Sequence, residues 1–154
     1  YKLTWLNMMR NKLGLLGEHK EDENLIIELL TWMHMNKADY TNTFCYLMKK
    51  LNFKSKIYEN KNFIKWEEKW KVRKKLNNNS LKNSLKIMLK SNPLVIPRNH
   101  IVEKALEESV SNYNVKRLKK LLEVLKDPEK HKDIAKFQSS PQLANEKYVT
   151  YCGT

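Results

Sequence analysis

The chain has 154 residues, a net charge of +13, and only 3 glycines and 4 prolines. That length fits one domain and lets a globular chain bury roughly 68–70% of its unfolded surface. The scarcity of turn formers beside abundant Leu, Lys, Glu and Asn argues against a strand-rich fold. No run nears the ~18 apolar residues of a membrane span, and no basic-then-apolar leader follows Tyr1.

In chain order, Leu3, Leu6, Met9 or Arg10, and Leu13 recur at helical spacing and predict a helix over 2–13. Gly14 is its expected C-cap, with Gly17 in the following loop. Asp22 opens a second helix, with acids in the first turn where they oppose the macrodipole. Its expected buried face is Leu25, Ile26, Leu29, Leu30 and Met33. Residues 37–41 are a break, after which Asp39 or Thr41 caps a third helix facing inward with Phe44, Leu47, Met48 and Leu51. Residues 52–60 read as a polar loop. A fourth helix over about 61–76 puts Phe63, Trp66 and Trp70 on one side and lysines on the other. A partner-binding or membrane-surface helix fits that pattern too, but tryptophans at this spacing more often form core.

Asn77-Asn78-Asn79 breaks the fourth helix, and Ser80 is a candidate cap for a fifth with Leu81, Leu85, Met88 and Leu89 inward. Pro93 and Pro97 then bracket Leu94-Val95-Ile96, so neither flanking helix can run through. The expectation is a buried extended connector joining two helical layers. Ile101, Val102, Ala105 and Leu106 define a sixth helix, interrupted by Asn112 and Asn114. Val115, Leu118, Leu122 and Leu125 define a seventh, closed by Asp127-Pro128. Beyond Glu129 periodicity is lost. The reading is all-α, with about seven helices in one helical region, 1–128, and an extended tail, 129–154.

Charge is uneven. Residues 47–90 hold 14 Lys/Arg against 3 acids, a net +11. Such a patch attracts polyanions. Yet only Arg10, Arg73, Arg98 and Arg117 are arginine among 30 basic residues, and readers of bases and phosphates favour arginine's planar fork. A solvated lysine surface is the stronger reading, and nucleic acid is not the expected partner.

Self-contained catalytic chemistry is not visible. Gly14 and Gly17 lack the spacing and preceding strand of a phosphate loop. Glu67-Glu68 and Glu107-Glu108 are helix neighbours that point to different faces. His19, His34, His100 and His131 are scattered, and Cys45 and Cys152 form neither a zinc spacing nor a disulfide framework. Asp39 is read as a cap rather than an acid or base. His100 with Arg98 is a candidate anion site, set against Arg98 simply satisfying helix-end carbonyls.

Several segments, in order, are similar to the C-terminal part of the selenoprotein O family of kinase-like protein adenylyltransferases. Met9-Arg10-Asn11-Lys12-Leu13-Gly14-Leu15 resembles a basic "KLGL" element, and Asp22 to Leu30 the acidic-then-apolar helix after it. Asp39-Tyr40-Thr41 with Phe44 resembles "DYT…F". Asn92-Pro93, then Pro97-Arg98-Asn99-His100, Val102-Glu103 and Ala105-Leu106 resemble "NP…RNH.VE.AL". Leu121-Leu122-Glu123-Val124-Leu125 with Pro128 resembles the following helix, and Tyr151-Cys152-Gly153-Thr154 the family's ending.

The resemblance implies a parent enzyme that moves AMP from ATP, with magnesium, onto protein hydroxyls. Its nucleotide site would lie in a kinase-like core preceding Tyr1, so no catalytic, cofactor or metal residue carries over to this chain. The implied partners are that core and protein substrates, without a membrane. The implied compartment is the cytoplasm, or the mitochondrion in a eukaryote. The resemblance assigns Cys152 a redox role through pairing with a core thiol, a chemistry that needs access and a suitable pKa. Cys45 stands where the family usually has arginine and reads as buried and inert. Of the two main functional expectations, the first is the helical C-terminal region of such an enzyme, inactive alone. The alternative is a stand-alone basic helical module that binds nucleic acid or another protein.

Overall fold

The computed structural model describes residues 1–76 and 81–139; the expected Ser80 cap and the chain from residue 140, including Cys152, lie outside them. Among the described residues there are eight α-helices, two short 3-10 turns and no strand. The helices are α1 (Lys2–Leu13), α2 (Asp22–Met35), α3 (Tyr40–Leu47), α4 (Lys61–Lys75), α5 (Leu81–Ser91), α6 (Asn99–Ser111), α7 (Lys116–Lys126) and α8 (Ile134–Gln138).

Local chemistry explains the first half. Asp39 caps α3, accepting a hydrogen bond from the Asn42 N–H at 2.8 Å, and Asn60 does the same for α4 from Asn62 and Phe63. Gly14 ends α1 at φ 66. A Cβ there would lie 2.4 Å from Ser84 Oγ and 2.8 Å from a Met88 carbon, so α1 and α5 touch through this glycine. Ser84 Oγ donates to the Gly14 carbonyl at 2.7 Å across the same contact.

α1 packs on α5, α2 and α3, and α2 packs on α4. Met9, Leu13, Ile26, Leu29, Phe44 and Phe63 are essentially sealed from solvent at their centre. The α4 expectation holds: Phe63, Trp66 and Trp70 are all buried. Each buried tryptophan N–H finds an acceptor, Trp66 on the Leu25 carbonyl at 2.8 Å and Trp70 on the Leu13 carbonyl at 2.9 Å. Residues 52–60 are more structured than a plain loop. Lys56–Glu59 makes a 3-10 turn that buries Tyr58, stacked on Tyr46 at 4.0 Å.

The connector is as expected. Leu94 and Val95 are buried between Pro93 and Pro97, as is Asn92 just before them, and Cys45 Sγ lies 3.6–3.7 Å from the Pro93 and Leu94 carbonyls. It leads to an α6–α7 hairpin, and here the inward faces depart from the expectation. In α7 the buried residues are Leu121 and Val124, whereas Val115 and Leu122 are exposed. In α6 only Ala105 is buried, and Leu106 is exposed. In α5 Ser84 and Met88 are buried while Leu81, Leu85 and Leu89 are exposed. In α1, Leu3 is exposed. The helices form where their periodicity places them, but these faces have no cover among the described residues.

The first part of the expected extended tail is compact. Pro128–Lys130 is a 3-10 turn and α8 follows, burying Ile134, Phe137 and Gln138. Gln138 anchors it: its amide donates to the Lys50 and Leu94 carbonyls at 3.0 and 3.1 Å and accepts from the Asn52 N–H at 3.0 Å. One glutamine pinned by distant backbone leaves no periodic trace in sequence.

Candidate functional site

Two polar nodes lie in the otherwise apolar interior. The first joins the start of α3 to the start of α6. Pro97 keeps the preceding chain extended, and Arg98 sits at the α6 N-cap, 9% exposed. Its guanidinium grips Asp39 with two bonds, Nη1 to Oδ2 at 2.7 Å and Nη2 to Oδ1 at 3.1 Å. This paired fork is the strong form of an arginine–carboxylate contact. It corrects the reading of Arg98 as a ligand for helix-end carbonyls. Asp39 thereby serves twice, as the α3 cap and as the carboxylate that fixes α6.

The neighbouring motif residues support this joint. Asn92 donates to the Lys12 and Met88 carbonyls, both at 2.9 Å, tying the connector back to α1 and α5. Pro93 is exposed but presents its carbonyl to Cys45. Tyr40 packs edge-on to Phe44 at 5.0 Å, and its hydroxyl reaches Met9 Sδ at 3.6 Å. Thr41 is half-buried on α3, and Asn99 is exposed in the first turn of α6. His100 is half-buried and faces away from this joint, into a cleft shared with α7 and α8. Burial lowers its pKa, helped by Arg98 and Lys104. Cys45 is fully buried, and burial, then the Asp39 charge, pushes its thiol up to about 11. It is an inert core thiol at physiological pH. Cys152 lies outside the described residues.

Sequence reading missed the second node. Asp22 is wholly buried and held by Arg10 Nε at 2.8 Å and Arg73 Nε at 2.6 Å, with the His19 N–H at 2.9 Å. Burial alone would raise its pKa, but the Arg73 and Arg10 bonds outweigh it and hold the carboxyl below its ordinary value. Arg73 therefore faces inward, not outward with the lysines. A signal existed: 73 continues the 63, 66, 70 stripe of α4 at helical spacing.

The basic stretch 47–90 is diluted in three dimensions. Lys69 pairs with Glu28 and Lys50 with Glu129, both acids from outside the stretch. Among the described residues no group of three or more His, Cys, Asp or Glu is arranged to hold a metal ion. Asp22 and Asp39 are both committed to arginines. No helix among the described residues is long and apolar enough to cross a membrane.

What the geometry offers is scaffold chemistry, and the order of its motifs can be set against known proteins. The family model described as "Protein adenylyltransferase SelO" matches residues 1–126. The chain belongs to the SelO family. It is 46% identical over 156 aligned residues to a protein of Pelagibacter ubique named "Protein nucleotidyltransferase YdiU", which matches 100% of this chain and 32% of that protein. Proteins of the same name from Clostridium perfringens and Nitrosococcus oceani are each 41% identical over 155 residues, covering 100% of this chain and 31% of theirs. The chain thus spans about a third of the length of the curated relatives it matches. The Arg98–Asp39 joint and the Asp22 node both fall within the family-matched span.

Proposed function

We propose that this chain is the helical C-terminal region of a protein adenylyltransferase and that it supports a nucleotide-binding core lying in polypeptide outside it. The whole enzyme would move AMP from ATP, with magnesium, onto Ser, Thr or Tyr hydroxyls of proteins. The observation that carries the reading is the set of apolar side chains left facing solvent on consecutive helices. They are Leu81, Leu85 and Leu89 on α5, Leu106 and Val110 on α6, and Leu122 on α7, at 37–76% exposure. Apolar faces of this kind mark surfaces that pack against something. A SelO-family chain spanning a third of its relatives' length has an obvious candidate in the remaining two thirds. The two buried nodes suit that role, because they lock helices α1 to α4 and α6 in one arrangement. Cys152 would be the redox-sensitive position, pairing with a thiol in the core.

Two measurements test this. Label transfer from α-labelled ATP to a protein acceptor should require the full-length polypeptide and should be absent with the 154-residue chain alone. Transfer by the chain alone would place the catalytic site within it and overturn the reading. The isolated chain should also bind a hydrophobic dye and self-associate. A monomeric, cooperatively folded, dye-silent chain would refute the docking role.

A further inference from the structure

A cleft of about 570 Å³ opens where α6, α7 and α8 meet. Its walls include the half-buried Ile101 and the buried Phe137. Its rim is cationic, with Lys104 from α6, Lys116, Arg117 and Lys120 from α7, and Lys136 from α8. Two acids, Glu108 and Asp133, also line it, and both are already engaged. Arg117 holds Glu108 at 2.7 Å, and Lys120 lies 3.5 Å from Asp133 and 3.0 Å from His131 Nδ1. Lys104, Lys116 and Lys136 have no carboxylate within salt-bridge distance among the described residues. With the internal pairs cancelled, the described residues leave three positive charges lining the cleft, one from each of three helices. His100, on the same wall, feels this field, since Lys104 and Arg98 both oppose its protonation. Lys61 and Lys65 of α4, by contrast, are exposed on a helix face outside this cleft.

We propose that this cleft binds an oligophosphate anion, with Lys104, Lys116 and Lys136 supplying the contacts. Three ammonium groups that have no carboxylate partner among the described residues, around one concavity, match a ligand with several negative oxygens over a few ångströms. A low-dielectric wall concentrates their field. Charge-assisted N–H to phosphate-oxygen bonds are the strong class of hydrogen bond, and lysine is an established point-charge partner for phosphate. The inference is independent of the docking role proposed above, because it concerns a different face and needs no second polypeptide.

The test is calorimetric titration of the full 154-residue chain with sodium tripolyphosphate at low salt. One site per chain is expected. The pair Lys104→Gln and Lys136→Gln should weaken it by about tenfold or more, because charges converging on one cleft act together. The pair Lys61→Gln and Lys65→Gln, which removes the same charge from α4, should weaken it by less than about threefold, since distant exposed charges are screened. Ligand should also move the His100 titration upward, read from its ring-proton NMR shift. No binding would overturn the proposal, and so would equal weakening by the two variant pairs, which would mean general attraction to a +13 chain.

Discussion

Phe63 and Leu122 hold comparable places in the apolar stripes of their own helices, yet Phe63 is 0% exposed and Leu122 is 58% exposed. The α1–α5 bundle and the α6–α7 hairpin differ in the same way. In the bundle α1 to α4 each bury several whole side chains, two arginines close on Asp22, and only α5 leaves much of its apolar face open. The hairpin closes on little more than Ala105, Leu121 and Val124. The lesson runs against the sequence pattern. α7 segregates apolar from charged residues as cleanly as any helix here, and α4 carries nine charged residues in fifteen. Amphipathicity measures how much surface a helix asks to bury. Burial itself depends on whether a neighbour covers that surface.

The sharpest way to break the contrast is to empty the bundle. Phe63→Ala should cost about 3–5 kcal/mol by urea titration, because its neighbours are held by tryptophan hydrogen bonds and cannot collapse freely into the space. Asp22→Asn should cost about 3 kcal/mol, since it leaves Arg10 and Arg73 buried around a neutral group. Its pH signature is separate. The folded pKa of Asp22 is depressed, so its stabilisation is fully present above the ordinary aspartate value and is lost as pH falls through the folded one. The wild-type chain should therefore lose stability in the acid range below about pH 4, and Asp22→Asn should flatten that limb. A variant whose acid limb matched wild type would show that Asp22 is not the responsible carboxylate.

Gly14→Ala comes next, at about 1–3 kcal/mol, combining a left-handed backbone with a Cβ driven into Ser84 and Met88. Circular dichroism melts of Gly14→Ala and Gly17→Ala separate the two causes. Gly17 has φ 68 but nothing within 4 Å of an added Cβ, so only the strain contribution applies there. Equal losses at the two sites would remove the close-approach argument.

Arg98→Lys probes the joint between the regions. It removes the two-bond fork on Asp39 and should cost about 1–1.5 kcal/mol. The loss should be local: amide exchange should speed up in α6 and α7 while α2 and α4 keep their protection. Uniform acceleration through all helices would mean that hairpin and bundle unfold as one unit.

How far the sequence reveals these features depends on how local their causes are. Helix limits at 2–13, the Asp39 cap, the Gly14 turn and the proline-bracketed connector follow from near-neighbour chemistry, and all are readable. The α4 core stripe is readable because three aromatics at i, i+3 and i+7 leave one way to face. Arg73 extended that stripe, but a basic residue among lysines masks its inward direction until Asp22 is placed 51 positions away. Gln138 is harder still, since its partners are backbone groups 44 to 88 residues distant. In α7 the run Leu121-Leu122-Glu123-Val124-Leu125 offers two adjacent faces, and only the packing of α6 selects Leu121 and Val124. The Pro97–His100 motif is readable as a motif, but Arg98 and His100 diverge in use. Arg98 turns to the interior joint, and His100 turns to the cationic cleft.

The smallest expected effect bears most directly on what the hairpin is for. Leu122→Ser should change the stability of the 154-residue chain by less than about 0.5 kcal/mol, as for an exposed position, and should lower its dye binding. The same substitution in the full-length protein should cost appreciably more, about 1–2 kcal/mol, if polypeptide outside this chain covers α7 there. That difference separates two explanations that look alike in the chain alone. A hairpin that is merely loosely packed would respond equally in both settings. A hairpin whose outer face is completed elsewhere would respond only when its cover is present, and the strong amphipathicity of α7 would then be explained by that contact.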